Sequence, residues 1–314
     1  MLVCHYLDHE SVEDEQLLNA LAAEARRTAG IPRLVTCHRI ERYSDENPPG
    51  LLGEQWSGSR TPLTPQTVVG DEAVLSRLVG IAAGLRSQII GESAIERQVA
   101  AFVDLLSNTD PIKPFGRIAL ELARQLRQRF GLQAPSHGLL ALRDFRRRSP
   151  CDCLMAVGAG MVGQEVVEQY RSLGYGRLLV ISRDPKRARR RLGSGFDRSM
   201  VRSLARVLED PPRTDFDLIV ATSDVPESYR LQAQELARSA HCRGIVDVSA
   251  EPIVTDGAKV VTLTNAPMKA LIAEHNAHWL ECQVAALQQI PKLVAERLRT
   301  IDPRRQSPPS RPPL

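Results

Sequence analysis

The sequence has no run of 18 or more apolar residues, so no segment of it reads as a membrane-spanning helix. Its first residues, Met1-Leu2-Val3-Cys4-His5, lack the charged-then-apolar pattern of a secretory leader, and a cytoplasmic protein is the expectation. Cysteine is sparse: six thiols in 314 residues are no disulfide framework, and a reducing compartment leaves them free. There is no internal repeat, no P-loop, no zinc-ligand spacing and no Ser-His-Asp order. Cys151-Asp152-Cys153 has no second ligand pair nearby and reads as packing, and His275 and His278 read as a partly exposed helix face. Neither sign of charge dominates: 41 Lys and Arg face 37 Asp and Glu, for a net charge of +4. That balance permits a transient nucleic-acid partner without requiring one.

What is present suits two soluble domains. Hydrophobic residues make up 43% of the chain, enough for packed cores. Residues 2–6 read as a strand. Ser11, three residues before Asp14, resembles a capping box, and Leu17, Leu18, Leu21 and Ala25 recur at helical spacing until Gly30. Leu34-Val35-Thr36 is a second strand that leads into Cys37. Residues 44–66 are Pro-, Gly- and Ser-rich and read as a loop. Helical patterns follow over 71–83, 92–106 and 115–130, the last stopped by Gly131. From Leu154 strands alternate with helices (154–157, 177–181, 217–221, 244–248, 259–263), the grammar of a parallel sheet with crossover helices. One long helical pattern follows Pro267, expected to break or kink near Pro291 and to end by Arg299. The Pro/Arg/Ser-rich end reads as disordered.

The expected architecture is therefore α/β: an N-terminal α+β catalytic domain (1–146), a Rossmann-type nucleotide-binding domain (147–265), a connecting helix (266–300) and a tail (301–314). Within it, Gly158-Ala159-Gly160-Met161-Val162-Gly163 is a G-x-G-x-x-G between a strand and a helix. In that setting Gly158 allows the tight turn, Gly160 lets backbone approach a pyrophosphate, and Gly163 lets the helix pack on the strand. The next strand ends in Ser182-Arg183 with no acidic residue for a ribose 2′-hydroxyl. Ser182, Arg183 and Arg187 offer donors and positive charge to a 2′-phosphate instead, so NADPH is favoured over NADH. The alternative for Arg183 and the 186–190 run is an ordinary solvated face.

Cys37, at a strand end and flanked by His38, Arg39 and Arg42, sits in a setting that should populate thiolate. It is a better nucleophile candidate than Cys4, Cys242 or Cys282, although a cysteine is commonly just a small core residue.

Thr36-Cys37-His38-Arg39-Ile40-Glu41-Arg42-Tyr43 resembles the T-C-N-R-x-E-x-Y signature of glutamyl-tRNA reductases. Gly84-Leu85-Arg86-Ser87, Gly91-Glu92-Ser93-Ala94-Ile95 and Gln98-Val99 are similar to that family's second signature, G-L-x-S, G-E-x-Q-I and Q-V. The Rossmann entry, the strand ending in Asp247 and the helix carrying Asn276 then follow in family order, so the likeness covers about residues 1–300. The resemblance implies that Cys37 attacks the ester carbonyl of an aminoacyl-tRNA and holds the acyl group as a thioester. NADPH then reduces it to an aldehyde, glutamate-1-semialdehyde in the standard case. It implies that Arg39 pairs with the substrate's side-chain carboxylate, and that Thr36, Ser87, Glu92 and Arg77 belong to the substrate site. Arg77 stands where the family carries a pocket His, with Ser76 the other possibility. Implied partners are a charged tRNA, tRNA-Glu in the standard case, and the downstream semialdehyde aminomutase.

Departures from the family pattern are visible too. Ala94 replaces a Gln, Arg86 an Asp and His38 an Asn, and Glu251-Pro252 stands in place of Pro-Arg. Only about 14 residues follow the long helix, so the family's C-terminal dimerisation domain is expected to be missing, and a monomer or an atypical dimer is expected. These changes leave two alternatives beside glutamyl-tRNA reduction: reduction of another aminoacyl-tRNA or activated acyl group, or a paralogue that only binds tRNA, haem or a pathway enzyme.

Overall fold

A computed structural model describes residues 1–12, 14–27, 32–36, 38–45, 64–148, 151–193, 197, 200–222, 225–249, 251–254 and 259–301. Cys37, the helix stop at Gly30, most of the 44–66 segment and the tail from 302 lie outside the described residues. The chain forms two units, Met1–Ala134 with Asn276–Leu314, and Pro135–His275.

The first unit is built on an antiparallel sheet. Strands β1 (Val3–Asp8), β2 (Arg33–Val35), β3 (Arg39–Ser44) and β4 (Gln66–Val69) lie in the order β2-β3-β1-β4. Alternation along a strand sends successive side chains to opposite faces, and here both faces are covered. Leu7 and Ile40 pack on Leu18, Leu21 and Ala22 of α1 (Glu15–Arg27). Cys4, Leu34 and Tyr43 face a helical layer of α2 (Asp71–Ala82), α3 (Ala94–Leu105) and α4 (Ile112–Phe130). Helix α2 is apolar around most of its circumference because it is the centre of that layer, with Val74, Leu75, Leu78, Val79 and Ile81 all buried. Helix α4 ends where Gly131 adopts φ 64°.

The second unit runs α5 (His137–Arg148), β5 (Cys153–Val157), α6 (Met161–Gln169), β6 (Arg177–Ile181), α7 (Pro185–Leu192), β7 (Val201–Arg202), α8 (Leu204–Glu209), β8 (Phe216–Val220), α9 (Glu227–Ala237), β9 (Cys242–Asp247) and β10 (Val260–Thr262). The six strands form one parallel sheet in the order β10-β9-β8-β5-β6-β7. Both faces are buried, as a parallel sheet requires: Leu154, Ala156, Val180 and Ile219 lie in one core, Met155, Val157, Leu218 and Val220 in the other. Strand order reverses between β5 and β8, which opens a crevice at their C-terminal ends. Helices α10 (Ala266–Ala277) and α11 (Leu280–Ile301) complete the chain. No helix among the described residues is long and apolar enough to cross a membrane.

Two local expectations are corrected. Ser11 does not cap α1: its hydroxyl turns back to the Asp8 carbonyl and amide, and the Asp14 carboxylate accepts the Leu17 N–H at 3.0 Å instead. The long C-terminal pattern divides at His278-Trp279, where the Trp279 N–H meets the Asn276 carbonyl at 2.9 Å, and not at Pro291. Pro291 sits exposed inside α11, and the opposite face, Ala286, Ile290, Val294 and Leu298, is locked into the first core. Burial of those four side chains is worth more than the roughly 3 kcal/mol that an interior proline costs.

Candidate substrate and nucleotide sites

In the first unit, chemistry-bearing residues gather where β1, β3 and α2 meet. Antiparallel pairing of β1 and β3 sets Asp8 beside Arg39 and Tyr6 beside Glu41. Thr36 and His38 close the turn between β2 and β3: the Thr36 N–H donates to the Arg39 carbonyl at 3.0 Å, and the His38 N–H to Thr36 Oγ1 at 3.2 Å. Arg77 reaches the same place from α2. Its Nη2 donates to Asp8 Oδ2 at 2.8 Å and to Glu41 Oε1 at 2.7 Å, and its guanidinium lies over the Tyr6 ring, 3.2 Å from the centroid. The other Glu41 oxygen accepts from Tyr43 Oη at 2.5 Å and from the Cys4 thiol at 3.7 Å.

Arg39 is the largest fully buried side chain among the described residues. Its Nη2 donates to the Arg86 carbonyl, and its Nη1 comes no nearer than 3.6 Å to Glu41 and has no hydrogen-bond partner among the described residues. Ser87, one residue beyond that carbonyl, also has a buried hydroxyl without a hydrogen-bond partner among the described residues. Buried donors left unanswered on Arg39 and on the residue after its Arg86 contact mark a place where an acceptor from outside the chain can bind. Glu92 and Gly91 are fixed by Arg127, whose guanidinium donates to their carbonyls at 3.0 and 3.2 Å.

The electrostatics follow the contacts. Burial opposes ionisation of Asp8, but the hydrogen bond and charge of Arg77, with Arg39 and Ser11, outweigh it and hold its carboxyl below the usual range. Burial and then Glu41 push the Cys4 thiol well up. Burial also raises Cys153 and Cys282, and takes Cys151 to about 11 and Cys242 to about 12. None of the described cysteines is poised to ionise near neutral pH.

The second unit carries a cleft of about 330 Å³ at the β5/β8 switch point, lined by Gly158, Gly160, Ser182, Arg183, Arg187 and Thr222 among others. Gly158 has φ 113°, and a Cβ there would stand 2.1 Å from the Ala221 carbonyl oxygen; one at Gly163 would stand 2.2 Å from the Gly158 oxygen. At Gly160 a Cβ would meet nothing within 4 Å. The first and third glycines thus let backbone and helix close up, and the second leaves open space at the N-terminus of α6. Asp184 caps α7 by accepting the Arg187 N–H at 2.9 Å, which ties the arginine-bearing turn to the end of β6. Thr222 Oγ1 is buried without a hydrogen-bond partner among the described residues. A backbone cradle, an unanswered hydroxyl and nearby guanidiniums fit a phosphorylated dinucleotide. A larger cleft, about 440 Å³, lies at the N-terminal ends of β5 and β6, away from the glycine motif.

Asp8 and Thr222 belong to no motif that marks them in the sequence as site residues. Asp8 terminates an apolar strand, a position at which a buried acid has to find a cation, and that was the available signal.

The family model described as “Glutamyl-tRNAGlu reductase, N-terminal domain” matches residues 4–127. The chain is 28% identical over 240 residues to Protein nfe2 of Rhizobium meliloti, covering 74% of this chain and 76% of that one. It is 27% identical over 282 residues to glutamyl-tRNA reductase 1 of Pyrobaculum arsenaticum, covering 86% and 68%. Among solved structures it is similar to glutamyl-tRNA reductase from Methanopyrus kandleri, at 20% identity and a TM-score of 0.45, over 97% of this chain and 82% of that one. Residues 4–127 thus match the N-terminal domain of glutamyl-tRNA reductases, and most of the length of the chain is similar to such reductases.

Proposed function

We propose that the protein is an NADPH-dependent reductase of glutamyl-tRNA that forms glutamate-1-semialdehyde for tetrapyrrole synthesis in the cytoplasm. The observation that carries this reading is Arg39: a fully buried guanidinium with one nitrogen unanswered among the described residues, which reaches the Arg86 carbonyl, one residue before the likewise unanswered Ser87 hydroxyl. A guanidinium fork and a hydroxyl are suited to gripping a carboxylate, and a buried cation whose acid neighbour stands 3.6 Å away, beyond hydrogen-bond distance, can gain from a ligand that supplies a closer one. Thr36 and Glu92 line the same substrate site in this reading.

Cys37 is the nucleophile of the proposal on the strength of its sequence context. Its thiolate attacks the ester carbonyl, a C–S bond forms, the C–O bond to the tRNA ribose breaks, and the ribose oxygen takes a proton. The raised thiols of Cys4, Cys151, Cys153, Cys242 and Cys282 support assigning the step to the remaining cysteine. Bound NADPH supplies the two electrons that convert the thioester to an aldehyde and return the thiolate. Gly158, Gly160 and Gly163 hold its pyrophosphate, and Ser182, Arg183 and Arg187 its 2′-phosphate. The transient partner is charged tRNA-Glu, and the consumer of the reactive aldehyde is a semialdehyde aminomutase. Incubation of the purified protein with glutamyl-tRNA and NADPH should yield semialdehyde, and Cys37→Ser should abolish it. Absence of NADPH consumption with every charged tRNA overturns the proposal.

One observation favours a second reading. Ala94 opens α3 at 3% exposure, an apolar methyl where the family pattern carries an amide. A pocket that has lost a polar contact discriminates its acyl group differently, because selectivity rests on paired groups. In this reading the substrate is another aminoacyl-tRNA or activated acyl group. A panel of charged tRNAs scored for acyl transfer to Cys37 by mass separates the two.

A further inference from the structure

Four ionisable side chains with almost no exposure share the interior between β1, β3 and α2: Asp8 at 2%, Arg39 at 1%, Glu41 at 0% and Arg77 at 4%. Their formal charges sum to zero, but the pairing is lopsided. One nitrogen of Arg77 takes both carboxylates, Asp8 at 2.8 Å and Glu41 at 2.7 Å. Every remaining carboxylate oxygen is also used. Asp8 Oδ1 accepts the Glu10 and Ser11 N–H groups, and Glu41 Oε2 accepts Tyr43 and Cys4. Arg39 is left with a peptide carbonyl and a 3.6 Å approach to Glu41 Oε1.

We propose that Arg77 is a positioning residue for anionic substrates: by holding Asp8 and Glu41 it withholds them from Arg39 and leaves the Arg39 fork for a carboxylate of the bound acyl group. The proposal rests on the reading of Arg39 as the substrate-carboxylate partner. It assigns Arg77 no contact with the substrate. Without Arg77 the cluster would carry a net negative charge, and Glu41 would be the nearest anion for Arg39. Closing the existing gap needs a shift of under about 1 Å to reach charge-assisted hydrogen-bond distance. An entering carboxylate would then meet two buried acids and an occupied guanidinium. Arginine suits this duty because it stays protonated throughout the physiological range, so the balance is fixed.

The two acids make the test selective. In Arg77→Met, KM for glutamyl-tRNA should rise roughly ten- to hundredfold, the loss of a charge-assisted contact, with kcat within about threefold. A crystal structure of R77M should show the Arg39–Glu41 gap closed to about 2.8 Å. Adding Glu41→Gln to R77M removes the competitor and should restore most of the KM, since a Gln oxygen still accepts from Tyr43. Adding Asp8→Asn should not, because Glu41 stays to claim Arg39. Arg77→Lys, which keeps one nitrogen able to meet both acids, should stay near wild type. Arg77→Gln gives the same test if R77M is not recovered folded.

A merely structural Arg77 predicts that both second substitutions act alike, and that result, or an Arg39 unmoved in R77M, overturns the proposal. Wild-type protein that neither turns over nor becomes acylated with glutamyl-tRNA counts against the substrate reading alone. The Arg39–Glu41 separation in R77M then decides this proposal.

Discussion

Asn276 donates from Nδ2 to the Gln88 carbonyl at 2.7 Å, across 188 residues of sequence, and its Oδ1 accepts the Ile90 N–H at 2.9 Å. Close by, Gln283 Nε2 donates to the Leu85 carbonyl at 2.6 Å, and Arg39 donates to Arg86. The loop that carries Ser87 therefore has side chains answering its carbonyls where a helix or sheet would use backbone. Asn276→Ala should destabilise the protein by about 1–3 kcal/mol, the cost of leaving such groups unanswered, and should speed hydrogen exchange at Ile90. Asn276→Asp keeps the acceptor and loses the donor, so Ile90 should stay protected as the stability falls. Chemical denaturation with exchange mass spectrometry checks both, and equal exchange at Ile90 in all three proteins would contradict the clamp.

The Asp8–Arg77 contact makes stability depend on acid in a predictable direction. Asp8 titrates below its unfolded value of about 3.9, so its contribution is fully present above that pH. It is lost as pH falls through the depressed folded value. Asp8→Asn removes the ionisable group and with it this dependence. The unfolding free energies of wild type and D8N should differ most between pH 5 and 7, by about 1–3 kcal/mol, should begin to approach each other only below about pH 4, and should meet below the depressed folded value. Urea titrations across that range measure the gap. A gap that stays constant with pH would show that the pairing does not survive in solution.

The fold was legible where pattern and packing coincide. Helices at 71–83 and 115–130 are found as Asp71–Ala82 and Ile112–Phe130, because their apolar stripes are the surfaces that meet in the first core. Each of the five strands of the alternating region is found within two residues of its expected ends. Strand β3 does not show in the sequence pattern. Arg39-Ile40-Glu41-Arg42 looks like a solvated stretch, yet all four are buried, and Glu41 can enter the core because Arg77 of α2 meets it at 2.7 Å. Helix α5 was hidden for the same reason, its arginines masking Leu139 and Leu142, which pack in the second unit. In the candidate site, the sequence signature pointed to Arg39 and Ser87 but not to what surrounds them. Asp8 and Asn276 lie 31 and 237 residues from Arg39 in the chain, and only the tertiary structure brings such positions to one pocket and its supporting loop.

The three glycines of the nucleotide motif should separate folding from binding. Gly160 has φ −76° and ψ −163°, an ordinary extended conformation, and open space where a Cβ would go. Gly160→Ala should therefore leave stability unchanged or raise it by about 0.4–1 kcal/mol, the usual gain when a compatible glycine is replaced. The methyl would stand where pyrophosphate must approach backbone, so NADPH binding should weaken severely. Gly163→Ala differs, because its Cβ would stand 2.2 Å from the Gly158 carbonyl oxygen, and α6 must move off β5 to admit it. That variant should lose about 1–3 kcal/mol or more of stability with no cofactor present. Thermal denaturation of both proteins without NADPH, followed by fluorescence titration with it, gives the two readouts separately. Strong NADPH binding by a stable G160A protein would place the pyrophosphate elsewhere, and an undisturbed G163A would deny the close helix–strand contact on which the cleft is built.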